Sequence, residues 1–257
     1  EARELLALAI GGYGLFGLVY AVTLRLVRRH KLERSVRILE AGDLIHAFSS
    51  GIDEGYTYGD FQFSIDDRSE DFLNRGVFSC YKPVPQDTPF LPDQKKLSPA
   101  IWEHLLHLAH TDKPGVWHEY SNYYLSTHGQ IYWSDLHQFS HYPEGYHAGI
   151  DLRLESVCPH REMITEIYVP RSALGSFLQN ARAAGRKQGW NVVYGTIRLI
   201  ERDTESFLAW AREPWVCIIF NLCVEHSPLG LAHARHAFRT LIDIAIDHAG
   251  SYYLTYH

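Results

Sequence analysis

The sequence predicts an α+β fold: an antiparallel sheet with helices on one face, including a ferredoxin-like β-α-β-β-α-β unit in the C-terminal half. Three observations carry this expectation. Residues 163–257 pass through period-two and helical patterns in the order strand, helix, strand, strand, helix, strand. Residues 34–65 open another series with strand, helix and strand. The chain of 257 residues is 46% hydrophobic and 21% charged, which is enough apolar side chain to bury one face of a sheet. A net charge of −6 gives no basic face, so nucleic acid is not an expected partner.

Residues 1–10 have the look of a helix. Residues 5–24 form twenty consecutive positions without a charge, followed by Arg25, Arg28, Arg29, His30 and Lys31. A run of that length can cross a bilayer, and the alternative it raises is a membrane-anchored binding or interaction domain with residues 5–24 as a transmembrane helix. Its composition opposes a helix. Gly11, Gly12, Gly14 and Gly17 each cost about 1 kcal/mol relative to alanine inside one. From Leu18, the side chains of Leu18, Tyr20, Val22, Leu24 and Leu26 alternate with Val19, Ala21, Thr23, Arg25 and Val27, a strand signature. Gly12-Tyr13-Gly14-Leu15-Phe16-Gly17 spells G-x-G-x-x-G, but a dinucleotide fingerprint follows a strand and opens a helix, the reverse of the order here. What remains is a glycine turn leading from a helix into a strand over residues 18–27, with its backbone open to a ligand. No membrane partner is expected.

Residues 28–31 are a charged break and the expected domain boundary, dividing 1–31 from 32–257. Residues 34–40 alternate as a strand, Asp43 can cap a helix running to Ser50, and residues 56–65 alternate again. The five prolines of residues 82–100 mark an extended connection, and a helix begins after Ser98-Pro99. Residues 163–169 form a strand. Pro170 then suits a first helical position, and Leu174, Phe177, Leu178, Ala181 and Gly185 make one apolar stripe that Gly189 ends. Residues 191–201 are a second strand, Asp203 or Thr204 caps a short connecting helix, and residues 215–225 are a third strand. Ser227-Pro228 starts a long helix that Gly250 terminates before a last strand over 251–257.

Strand parity divides the side chains of this unit between two faces. Val216, Ile218, Phe220, Leu222 and Val224, with Val193, Gly195, Ile197 and Leu199, suit the helix side. Cys217, Ile219, Asn221, Cys223 and Glu225, with Tyr194, Thr196 and Arg198, are left on the open face. An arginine in mid-strand needs a carboxylate, a ligand or water, and Glu166 is one candidate partner.

The segment IGGYGLFGLVYAVTLRLV resembles the end of the FAD-binding module of FAD-linked oxidases of the vanillyl-alcohol oxidase (PCMH-type) superfamily, in which a glycine-rich turn enters a strand lying against the cofactor. EIYVPR, GTIRLIERD, FNLCVEH and GSYYLTYH are similar to successive strands of that family's cap domain. The resemblance implies that residues 1–31 are the remnant of an FAD domain, that 32–257 are a cap, or substrate, domain truncated at its C-terminus, and that the rest of the FAD-binding region precedes Glu1. A piece of this kind would hold FAD poorly by itself. It implies FAD as cofactor, with Gly14, Gly17, Leu18 and Val19 as contacts. The implied reaction is oxidation of a small-molecule alcohol by hydride transfer to flavin. Arg198, Tyr253 and Tyr256 take catalytic positions, while Thr196, Asn221 and His257 take substrate-binding ones. Thr196 departs from the acid common at its position, and Tyr253 and Tyr256 stand where histidine and lysine are common.

Cys80, Cys158, Cys217 and Cys223 have no C-x-x-C spacing, which suits reduced thiols in a cytoplasmic protein. His104, His107 and His110 fall at i, i+3 and i+6, spread over about 120° of a helix, so no metal site is expected there. His137, His141 and His147 suit surface or substrate contact.

Overall fold

The computed structural model describes residues 2–136 and 145–253. Among them, eight strands form one antiparallel sheet, with helices packed on both of its faces. In chain order the elements are α1 (Ala2–Ala9), β1 (Lys31–Glu40), α2 (Leu44–Asp53), β2 (Tyr58–Phe63), β3 (Arg75–Val84), α3 (Pro99–Thr111), α4 (Lys113–Leu125), β4 (Ile131–Trp133), α5 (Tyr146–Arg153), β5 (His160–Pro170), α6 (Leu174–Gln188), β6 (Val192–Ile200), β7 (Trp215–Glu225), α7 (Pro228–Asp247) and β8 (Ser251–Tyr252). The sheet order is β4-β1-β3-β2-β6-β7-β5-β8.

That order contains one permutation twice. From each edge inward, β4-β1-β3-β2 and β8-β5-β7-β6 have the same arrangement, and the two halves join through β2 and β6, where Phe61 pairs with Ile197. In each half the first long strand turns through a short 3-10 segment, 41–43 or 171–173, into a helix. The C-terminal half is the expected ferredoxin-like unit, with α6 and α7 on one face of the sheet. Local chemistry sets its ends: Ser227 accepts from the Gly230 amide at 3.0 Å to cap α7, and Gly189 closes α6 at φ 67°.

The core lies between the sheet and α2, α6 and α7. Ile218, Phe220, Leu222, Val216, Ile197 and Ile167 meet Phe177, Leu178, Phe238 and Leu241, all buried in one cluster with Phe61, Phe78 and Phe48 of the N-terminal half. A β-bulge in β6 sets Val192 opposite Leu222, so Val193, expected on this face, is the inserted residue and lines a small cavity with Val116 and Trp117. At the seam, a side chain on Gly195 would place its Cβ 1.9 Å from Phe63 Cζ and 2.8 Å from the Ile219 carbonyl oxygen. Gly250 has a related role: its Cβ would stand 2.2 Å from the Tyr168 carbonyl oxygen, while the left-handed position after α7 is taken by Ala249.

The structure sets aside the helical alternative for residues 5–24 and corrects other expectations. α1 ends at Ala9, and Gly11, Tyr13, Gly14 and Gly17 have positive φ of 64°, 52°, 75° and 145°. Residues 5–24 are therefore not one helix, and among the described residues no helix is long and apolar enough to cross a membrane. Residues 18–27 are extended without helical turns, yet they pair with no strand; Leu18 is 94% and Tyr20 99% exposed. Alternation favours extended backbone, but a ladder needs a neighbour for each N–H and C=O, and none of the described strands lies beside this segment. No helix follows Asp203. Its carboxylate instead accepts from the amides of Glu205 and Ser206 in a turn. The sheet face expected to be open is partly roofed by α3 and α4, whose N-caps are Ser98 and Asp112.

Replacing Gly195 by alanine is expected to destabilise the fold by about 1–3 kcal/mol, because the new Cβ overlaps both the Phe63 ring and the Ile219 carbonyl oxygen, and backbone cannot give way as a ring can. Gly175→Ala in α6, whose Cβ meets no atom within 4 Å, is expected instead to stabilise by about 0.4–1 kcal/mol. Urea denaturation of the two variants checks both signs.

Candidate functional site

The second face of the sheet carries the polar residues. Tyr58, Asp60 and Gln62 of β2 alternate with the buried Phe61 and Phe63, and the antiparallel register that pairs Phe61 with Ile197 places Asp60 across from Arg198 and Gln62 across from Thr196. Thr196 Oγ1 lies 3.4 Å from Asp60 Oδ2, and Gln62 Nε2 donates to the Tyr194 hydroxyl at 3.0 Å. Thr196 and Arg198 are thus neighbours of an acid, which comes from a different strand. Arg198 is exposed and makes no ion pair within 4 Å among the described residues. Burial raises the Asp60 carboxyl above its ordinary pKa, with Arg198 and then Arg34 pulling against that shift. Glu166 does not partner Arg198; its carboxylate accepts from the Tyr168 hydroxyl at 2.5 Å.

Along the same face, Asn221 is buried and donates through Nδ2 to Glu162 Oε2 at 3.1 Å. The Tyr146 hydroxyl donates to the same oxygen at 2.6 Å, and His110 Nε2 stands 3.7 Å from Oε1. Glu162 and Asn221 each keep one buried acceptor, Oε1 and Oδ1, without a hydrogen-bond donor among the described residues. Asn221, expected to bind substrate, therefore positions Glu162. Burial tends to raise the Glu162 pKa, but the nearby His110, the hydrogen bond from Tyr146 and the charge of His147 outweigh it, and the carboxyl titrates below its ordinary value.

At the β8 end, Tyr168, Trp210 and Tyr253 stack in succession, with ring centroids 4.6 Å and 6.1 Å apart. Trp215, Cys217 and Ala211 are buried beside them. The glycine-rich corner meets this stack: Tyr13 packs against Tyr253 at 6.1 Å, Phe16 against Phe207 at 5.9 Å, and the Phe207 amide donates to the Ala7 carbonyl at 2.9 Å. A Cβ added at Gly14 or Gly17 would meet no atom within 4 Å, so the backbone there is open to approach.

The structure thus brings Thr196 and Arg198 together with Asp60, and separately brings Tyr13, the neighbour of Gly14 in the chain, against Tyr253. Tyr256, His257, His137 and His141 lie outside the described residues. Leu18 and Val19 lie in the exposed extended segment. The three histidines of α3 face different neighbours, His104 bonding Glu119 at 2.9 Å and His110 facing Glu162. The four cysteines are free; burial pushes the thiols of Cys217 and Cys223 up to about 12 and that of Cys80 to about 11, so these three are poor nucleophiles at neutral pH. Asp60 and Glu162 are not singled out by the sequence, and His110 is noted there only as one of three spaced histidines. The period-two pattern of residues 58–63 could have marked Asp60, whereas nothing in the sequence joins His110 to Glu162 across fifty residues of chain.

A carboxyl whose pKa is depressed by folding contributes stability that is present above its unfolded pKa and lost as the pH falls through the folded value. Glu162→Gln is accordingly expected to flatten the loss of stability on acidification below about pH 4.5, while changing the slope little near about pH 7. Urea midpoints across that range test this, and an unchanged acid slope would show that Glu162 is not the titrating group. Comparison of the chain with family models and with curated proteins found no match to either.

Proposed function

We propose that the chain belongs to an FAD-dependent oxidoreductase that oxidises an alcohol-type substrate by hydride transfer to flavin, with residues 32–257 forming its substrate domain. The observation that carries this reading is the meeting of the glycine-rich corner with the aromatic end of the polar sheet face, through Tyr13 and Tyr253. The residues fit a flavin as one wall of its site. Gly14 and Gly17 are unobstructed, and the backbone after Gly17 is in no ladder, so its amides and carbonyls are available to a flat heterocycle.

Bound flavin would supply the hydride-accepting chemistry. The protein's own groups bind, orient and hold protons. Arg198, exposed and without an ion partner within 4 Å among the described residues, is placed to attract a substrate carboxylate or to stabilise a developing alkoxide. Asp60 beside it offers a carboxyl to a substrate hydroxyl, and the buried Thr196 orients that carboxyl through its own hydroxyl. Tyr253 stands where it can assist removal of the hydroxyl proton, with Tyr256 and His257 following it in the chain. Trp210, itself packed on Tyr168, supports one side of the Tyr253 ring.

The complete protein is expected to purify yellow, and anaerobic addition of alcohols from a panel should bleach its flavin absorbance. Arg198→Ala should lower the rate of that bleaching by about 10²–10³ with flavin content unchanged. A colourless complete protein overturns the proposal, and unaltered kinetics in the variant remove Arg198 from the site.

A further inference from the structure

A second site lies at the opposite edge of the sheet. Arg34 on β1 is only 8% exposed, and its Nε donates to the Tyr81 hydroxyl at 2.8 Å and its Nη1 to Thr127 Oγ1 at 3.0 Å. The guanidinium lies 4.4 Å from the centre of the Tyr132 ring. No carboxylate comes within 4 Å of it among the described residues, and Arg34 lines a cavity of about 930 Å³. Around that cavity stand Lys95, Lys96, Trp102, Tyr132 and Trp133, and no acidic residue is among its lining side chains. In a chain of net charge −6, three cations gathered without an acid form a local reversal of sign. A buried guanidinium without a carboxylate in direct contact is costly; the tyrosine rings and hydroxyls and the more distant charge of Asp60 offset that cost, and a carboxylate in the cavity would add a direct partner.

We propose that this cavity binds an aromatic carboxylate. The carboxylate would meet the free edge of Arg34, with Lys95 and Lys96 near the mouth, and the ring would lie among Trp102, Tyr132 and Trp133. A guanidinium edge suits a carboxylate because two parallel N–H groups match its two oxygens. In the sheet order β1 stands three strands from β6, roughly 14 Å at the usual strand spacing, so this cavity lies on the same face of the sheet as Arg198 but apart from it, with Asp60 between them. It does not rest on the flavin proposal.

The test is titration calorimetry on the whole chain with 1-naphthoate and, as its uncharged counterpart, 1-naphthalenemethanol. Naphthoate should bind at one site, at least about tenfold more tightly than the alcohol, and the preference should shrink as salt is raised. Arg34→Gln should weaken naphthoate about ten- to a hundredfold while hardly changing the alcohol. Quenching of tryptophan fluorescence, with loss of part of the quench in Trp133→Phe, locates the ligand. Absence of naphthoate binding, equal affinity for acid and alcohol in the unmodified protein, or an undiminished affinity in a folded Arg34→Gln chain would each overturn the proposal. The acid-to-alcohol ratio in the unmodified protein decides the matter if the Arg34 variant does not fold.

Discussion

The Phe63 ring occupies the space that Gly195 leaves by having no side chain, and this contact across the β2–β6 seam makes one sheet from two halves. Phe63 reaches Phe220 beyond it at 5.6 Å, so the apolar core runs unbroken from α2 under β3 to α7 over β7. A larger residue at position 195 would drive the ring against the Phe220 layer. The seam itself is short, with a single ladder pair, Phe61 and Ile197, so side-chain interlock carries more of the junction there than backbone hydrogen bonding.

The same seam creates the polar site on the other face. Asp60 belongs to the N-terminal half and Thr196 and Arg198 to the C-terminal half, and they meet only because β2 lies beside β6 in one register. A slip of one residue would send Asp60 into the aromatic core and Phe61 onto the polar face. Register is therefore fixed by the cost of burying a carboxylate among Phe48, Phe78 and Phe220, and the site inherits its geometry from the core beneath it.

Each half handles its second face differently. Over the N-terminal half, α4 contributes Tyr120, Tyr123 and Tyr124, side chains that can cover a sheet surface and still hydrogen-bond or stack with Arg34 and its neighbours. Over the C-terminal half, α3 and α5 bring His110 and Tyr146 to Glu162, while Trp210 and Ala211 pack beside the buried Tyr168, Trp215 and Cys217. Between them Arg198 is left exposed. Residues 18–27 carry the same problem in reverse: an alternating apolar segment with both backbone edges unpaired is an open template for strand addition.

Local elements with short-range signals are legible in the residues alone. Ser98-Pro99 and Ser227-Pro228 start helices, Gly189 ends one, and alternation in 163–169 and 215–225 sorts side chains between core and polar face. These rest on a few adjacent residues and on the fixed periods of helix and strand. The same signals leave β3 unassigned, although β3 pairs with β1 over ten residues, because a fully buried central strand such as Gly76 to Tyr81 shows no alternation. They also place a strand at 18–27, where the extended propensity is present but a pairing partner is not. It took the folded chain to show that two similar halves share one sheet, that the acid beside Thr196 and Arg198 is Asp60, and that Glu162 is held by Asn221, Tyr146 and His110. Contacts of this kind depend on strand order and register, which are set by how apolar faces close over one another across distant parts of the chain and leave no mark in the residues nearby.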